Sequence, residues 1–175
     1  MVLRAEHAET RAIGNAEKHI FKDLKGKEVK KVTDLKNGII EIHGYEINAK
    51  TTPEGIINNL SGTYINHSKS SSGKSESFTF DNILIADCKF SIDVCFYLEK
   101  LDSIKFESHH VYEGEHTWKR VFELNNQWLE KVLGNADTSS LYSRGYHYDI
   151  CHVRSMYLSD SRWGDNAFID IDFGE

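Results

Sequence analysis

Between residues 76 and 108 the chain alternates between apolar and polar side chains. Phe90, Ile92, Val94, Phe96 and Leu98 recur every second residue, with Ser91, Asp93, Cys95 and Tyr97 between them. A period of two puts one set of side chains on each side of a strand, so one side is buried and the other at least partly wet. Phe78 and Phe80 before this run, and Ile104 and Phe106 after it, keep the same period. The pattern predicts three antiparallel strands, with turns near Asp87-Cys88-Lys89 and Glu99-Lys100. This meander is expected in the middle of a sheet, as the floor of the core.

Helical spacing takes over elsewhere. Trp118, Val121, Phe122, Asn125, Trp128, Leu129, Val132 and Leu133 form one stripe, and Gly134 follows the last of them, predicting a helix over 113–133 with a glycine cap. A second, short helix opens at Thr52-Pro53, with Thr52 as N-cap, Pro53 as first helical residue and Ile56, Ile57 and Leu60 as its buried side. A third is predicted over 3–24 on thin periodicity (Ile13, Ala16, Ile20, Leu24), ending at Lys25-Gly26-Lys27; this N-terminal helix, residues 1–26 with its end, either packs on the sheet or forms a mobile arm. Residues 28–35 read as an edge strand, Asn37-Gly38 as a turn, and 39–47 as the returning strand. The Ser/Gly/Lys-rich stretch 67–77 reads as a flexible loop joining two strands. Residues 146–156 read as one strand. After a turn over 160–166, the last strand has Ala167, Ile169, Ile171 and Phe173 inward and Phe168, Asp170 and Asp172 outward. The expected architecture is a single α+β domain over 1–175, an antiparallel sheet of about six or seven strands with helices packed on one face.

Composition narrows the class. In 175 residues there is one proline, Pro53, while nine Phe, eight Tyr and three Trp are too many aromatics for a disordered chain. No run approaches the ~20 apolar residues of a membrane span. Glu6, Glu9 and Glu17 stand where a signal peptide would be apolar, so a cytoplasmic location is expected. Cys88, Cys95 and Cys151 are odd in number and without C-x-x-C spacing, which fits a reducing compartment. The net charge of −6 is unevenly placed: residues 1–106 carry 15 acidic and 15 basic side chains, residues 107–175 carry 12 and 6. Nucleic-acid binding would need the opposite sign; an acidic surface attracts basic partners, or serves solubility alone.

Candidate chemistry is sparse. Gly73-Lys74-Ser75 lacks the earlier glycine of a phosphate-binding loop, since Ser68 stands there, and a strand rather than a helix follows. His109, His110, His116, Glu113 and Glu115 could supply metal ligands, but not at a known ligand spacing; the same residues serve as a polar lead-in to a helix N-terminus. His147, Asp149 and Cys151 share a strand face by parity, yet residues two apart on a strand lie roughly 7 Å apart, too far for a nucleophile and its base. No catalytic set and no cofactor is indicated. The acidic C-terminal stretch offers a protein-binding surface instead: Tyr146, Tyr148, Asp149, Asp160, Trp163, Asp165, Asp170 and Asp172, aromatics to anchor and carboxylates to steer. The same carboxylates could equally protect a solvated strand edge.

The strand–turn–strand of 90–108, the helix end at 128–134 and the closing hairpin of 144–175 together resemble small bacterial immunity proteins of polymorphic-toxin and contact-dependent growth-inhibition systems. That resemblance implies a non-enzymatic cytoplasmic protein that binds and neutralises one cognate toxin, often a basic nuclease, with no nucleic acid or membrane as partner. The alternative is a small-molecule- or metal-binding enzyme domain using His109, His110 and His116, with His147 as a further polar group.

Overall fold

A computed structural model describes residues 33–108, 117–160 and 164–174. They belong to one compact unit, Val32–Glu175. The predicted N-terminal helix, the histidine cluster of 109–116 and the turn residues 161–163 lie outside the described residues.

After a single helical turn at Leu35–Asn37, whose cap Gly38 is left-handed (φ +62°), come β1 (Ile40–Ile42) and β2 (Tyr45–Ile47). The expected single strand over 39–47 is thus a hairpin. His43 and Gly44 both take positive φ, the geometry that a two-residue turn needs to match strand twist. Helix α1 (Pro53–Leu60) forms as its sequence predicts, with the Thr52 hydroxyl accepting from the Gly55 N–H at 3.2 Å. Then follow β3 (Asn66–Lys69), β4 (Ser75–Ile85), β5 (Cys88–Tyr97), β6 (Lys100–Ser108), α2 (Trp118–Leu133), β7 (Thr138–Ser139), β8 (Ser143–His147), β9 (His152–Asp160) and β10 (Gly164–Asp172).

The large sheet has eight strands in the order β3-β4-β5-β6-β10-β9-β8-β7, every neighbouring pair antiparallel, and β1 and β2 form a separate pair. It consists of two four-stranded meanders, β3–β6 and β7–β10. They join where β6 pairs with β10 over four residue pairs, Phe106–Ile169 to Ser103–Asp172. Within the meanders, β9 and β10 align over nine.

Three sequence expectations change here. The stretch 67–77 is the β3–β4 hairpin: His67 to Lys69 pair with Phe78 to Glu76. An edge strand needs no apolar side, which is why its exposed Asn-His-Ser-Lys sequence carries no alternation. Residues 146–156 are likewise a hairpin, β8 turning at Tyr148 to Cys151 into β9, with the Tyr148 N–H donating to the Cys151 carbonyl at 3.1 Å. Leu98 leaves the β5 alternation and, with Glu99, makes the β5–β6 turn at positive φ, exposed.

The core lies on one side of the sheet. Its floor is the alternate set Phe78, Phe80, Phe90, Ile92, Val94, Ile104, Phe106, Val153, Ile169 and Ile171. Leu35, Ile40, Ile42 and Ile47 from the first hairpin, Ile56 and Leu60 from α1, and Trp128, Leu129 and Leu133 from α2 belong to the same cluster. Trp128 meets Phe90 edge-on at 5.1 Å between ring centroids. The helices therefore pack on one face, as the helical stripe requires.

Candidate functional site

Because side chains alternate, the residues between the core positions build the second face, which no described helix covers. Cross-strand register sets them in rows. One row runs Arg154, Asp170, Lys105, Asp93, Thr79 across β9, β10, β6, β5 and β4. Charge alternates along it. The Arg154 guanidinium donates to Asp170 at 2.5 Å and to Asp172 at 2.9 Å, and the Thr79 hydroxyl donates to Asp93 at 2.6 Å. Lys105 bonds Glu107 at 2.9 Å, and its ammonium lies 4.5 Å from the centroid of the Phe168 ring. Asp81 accepts from the Ser91 hydroxyl at 2.6 Å.

Asp170 is 9% exposed. Burial pushes its carboxyl above the usual carboxylate range, further than the Arg154 guanidinium pulls it down. A carboxylate that close to an arginine forms a charge-assisted bond, and here it straps β9 to β10 beside the seam with β6.

The next row is made of small side chains: Ser68, Ser77, Cys95 and Ser103, leading to Asp172, His152 and His147. Its β3–β6 end is an open depression of about 460 Å³, which Glu76 and Asp102 also line. Burial, then the nearby Asp93 charge, pushes the Cys95 thiol above its ordinary range, so it stays protonated and a poor nucleophile. Cys151 is buried, its thiol facing the Leu35 carbonyl at 3.7 Å and pushed up to about 11 by burial first. The turn at 148–151 also breaks the parity that put His147, Asp149 and Cys151 on one face. The His147 ring instead meets the His152 ring at 4.7 Å. Among the described residues no three His, Cys, Asp or Glu side chains converge to hold a metal ion.

The eight residues expected to bind a partner do not form one surface. Tyr146 is 1% exposed and belongs to the core, because its β8 position pairs with Val153 of the inner face. Tyr148 packs partly buried against that core. Asp149 is exposed in the β8–β9 turn. Asp165, at an odd position on β10, lies on the opposite side of the sheet from the even Asp170 and Asp172, and accepts from Tyr157 at 2.7 Å and Ser159 at 2.9 Å. Trp163 and the Asp160 side chain lie outside the described residues. Of those described, only Asp170 and Asp172 share the uncovered face. The residues of the same face that sequence reasoning missed are Arg154, Asp93, Asp81, Glu107 and Met156. Period-two alternation marks such positions on each strand, but it cannot say which strands become neighbours.

No described helix is long and apolar enough to cross a membrane. Comparison of the chain with protein-family models, curated proteins and solved structures gives no match.

Proposed function

We propose that this chain is a non-enzymatic inhibitor of the immunity type, which acts in the cytoplasm by holding a cognate toxin, a basic nuclease domain, against the uncovered face of its sheet. One observation carries this. On the central strands of that face, among the described residues, six carboxylates (Asp81, Asp93, Asp102, Glu107, Asp170, Asp172) stand against four cations (Lys89, Lys100, Lys105, Arg154). The net charge of −6 has the same sign. A nuclease uses lysines and arginines to hold phosphates; carboxylates set at strand spacing would pair with those cations and exclude the nucleic acid. Such an encounter is fast and weakens as salt rises.

The test is affinity capture of the tagged full chain from its native cells at low salt, a high-salt wash, and mass spectrometry of the eluate. The expected result is one stoichiometric basic protein, whose cleavage of DNA or RNA the purified chain blocks at a one-to-one ratio. A neutral partner, salt-insensitive affinity, or copurifying metal without a protein would overturn the proposal.

A further inference from the structure

The depression at the β3–β6 end of the uncovered face differs from the rest of that face in how its charges are met. Among the described residues, five serines and two carboxylates, Glu76 and Asp102, line it, and no lysine or arginine does. Glu76 is already matched: its side chain is 9% exposed, with the His67 Nε2 at 2.7 Å and the Lys69 ammonium at 3.0 Å. The Asp102 carboxylate has no hydrogen-bond or ion-pair partner among the described residues, and Lys100, two positions before it, makes no pair with it. A β-bulge puts Asp102 there. Cys95 faces Ser103 and Phe96 faces Leu101, so Asp102 is an extra residue without a partner on β5. Two residues instead of one therefore separate the core positions Leu101 and Ile104, and both Asp102 and Ser103 line the depression. The charges acting on Cys95, which lines it too, agree in sign: after burial, Asp93, Asp102 and Asp170 push its thiol up.

We infer that this depression receives an arginine side chain of the basic partner, whose guanidinium pairs with the Asp102 carboxylate while the lining serine hydroxyls accept from its remaining N–H groups. A guanidinium carries five donors and no acceptor, and holds a carboxylate through two parallel bonds. The lining offers the complement, an unmatched carboxylate among hydroxyls. A phosphate or an acidic side chain would meet that carboxylate as a like charge. A metal ion would draw on three converging ligands, which the described residues do not supply. The inference rests on the protein-binding role proposed above, and adds the point of the face that carries the pairing and the residue it takes.

The test has two arms, both on the full chain. In the first, acetyl-arginine amide, inorganic phosphate and glucose are titrated separately while backbone amide signals are followed by NMR. The expected result is that the arginine amide alone moves the signals of Ser77, Cys95 and Ser103, and that Asp102→Asn abolishes the effect. Shifts there from phosphate or glucose, and none from the arginine amide, overturn the arginine. In the second arm, the basic protein that low-salt capture retains is bound to Asp102→Asn and to Asp149→Asn, which makes the same charge change in the exposed β8–β9 turn. Asp102→Asn should weaken binding at least about tenfold, and Asp149→Asn less than about twofold. Both thermal melts should stay unchanged, since Asp102 has no partner to lose. Equal losses, or none from Asp102→Asn, overturn the arginine site and leave the protein-binding role standing. Failure to retain any basic protein overturns both.

Discussion

Phe90 and Phe168 are the same side chain on opposite faces of one sheet. Phe90 is 0% exposed, wedged between Phe106 and Trp128. Phe168 is half-buried, its ring under a lysine and its neighbour across the strand a methionine. The covered face is a nearly unbroken field of Phe, Ile and Val, and its composition is dictated by packing. The uncovered face mixes charge, hydroxyl and a small apolar spot, and packing within the described fold does not require that mixture. Recognition therefore has more freedom to shape the second face than the first.

Truncating the two phenylalanines should separate the faces most sharply. Phe90→Ala should cost about 3–5 kcal/mol of unfolding free energy, the usual range for emptying a buried aromatic site. Phe168→Ala should cost under about 1 kcal/mol. Urea unfolding of both variants checks this, and equal losses would mean that the second face is a core in its own right. The next effect comes from Arg154, which bonds both Asp170 and Asp172. Arg154→Ala should destabilise by about 2 kcal/mol, less than the loss on breaking a fully buried pair because the arginine side chain is 40% exposed.

A smaller, pH-dependent effect belongs to Asp170. Its folded pKa is raised, so the folded chain holds that proton more tightly than the unfolded chain. The contribution of this group is most favourable below the ordinary carboxylate pKa and is lost as pH rises through the raised value. Relative to wild type, Asp170→Asn should therefore gain stability as pH goes from about 4 to 7, and a parallel pair of stability–pH curves would contradict it. Least costly to the fold is Lys105→Gln. Its pair with Glu107 is partly exposed and worth under about 1 kcal/mol, so the melt should barely move, while association with a basic partner at low salt should quicken severalfold. Slower association would make Lys105 itself a contact.

The central meander was legible because Phe78, Phe80, Phe90, Ile92, Val94, Phe96, Ile104 and Phe106 keep the period and are all core positions, whereas Leu98 at its turn is not. Helices α1 and α2 were legible from Thr52, Pro53, the Trp118–Leu133 stripe and Gly134. Two hairpins were not. Residues 39–47 and 146–156 each keep an apolar rhythm through the turn, and Tyr148 to Cys151 has no glycine or proline to mark the reversal. The edge strands β3 and β7 were hidden for another reason: fully exposed, they need no apolar residue. For the site, parity placed Phe168, Asp170 and Asp172 outward without knowledge of the fold. Grouping Asp165 and Tyr146 with them failed, because closeness along the chain says nothing about which side of a strand a residue takes. Arg154 was invisible as their partner, since the β9–β10 register decides it.

The seam between β6 and β10 has a consequence for how the protein folds. Phe106 and Ile169 are neighbours across it, yet they are sixty-three positions apart in the chain. Each meander can assemble from contacts between strands adjacent in sequence, whereas the seam has to close a long loop for only four residue pairs. Closing such a loop costs entropy before any contact rewards it, and non-local pairing of this kind slows folding. The step expected to set the rate is then the pairing of β6 with β10. Until it happens, β6 and β10 each present a bare strand edge in what will become the middle of the sheet, the form in which the chain is most open to pairing with the wrong neighbour.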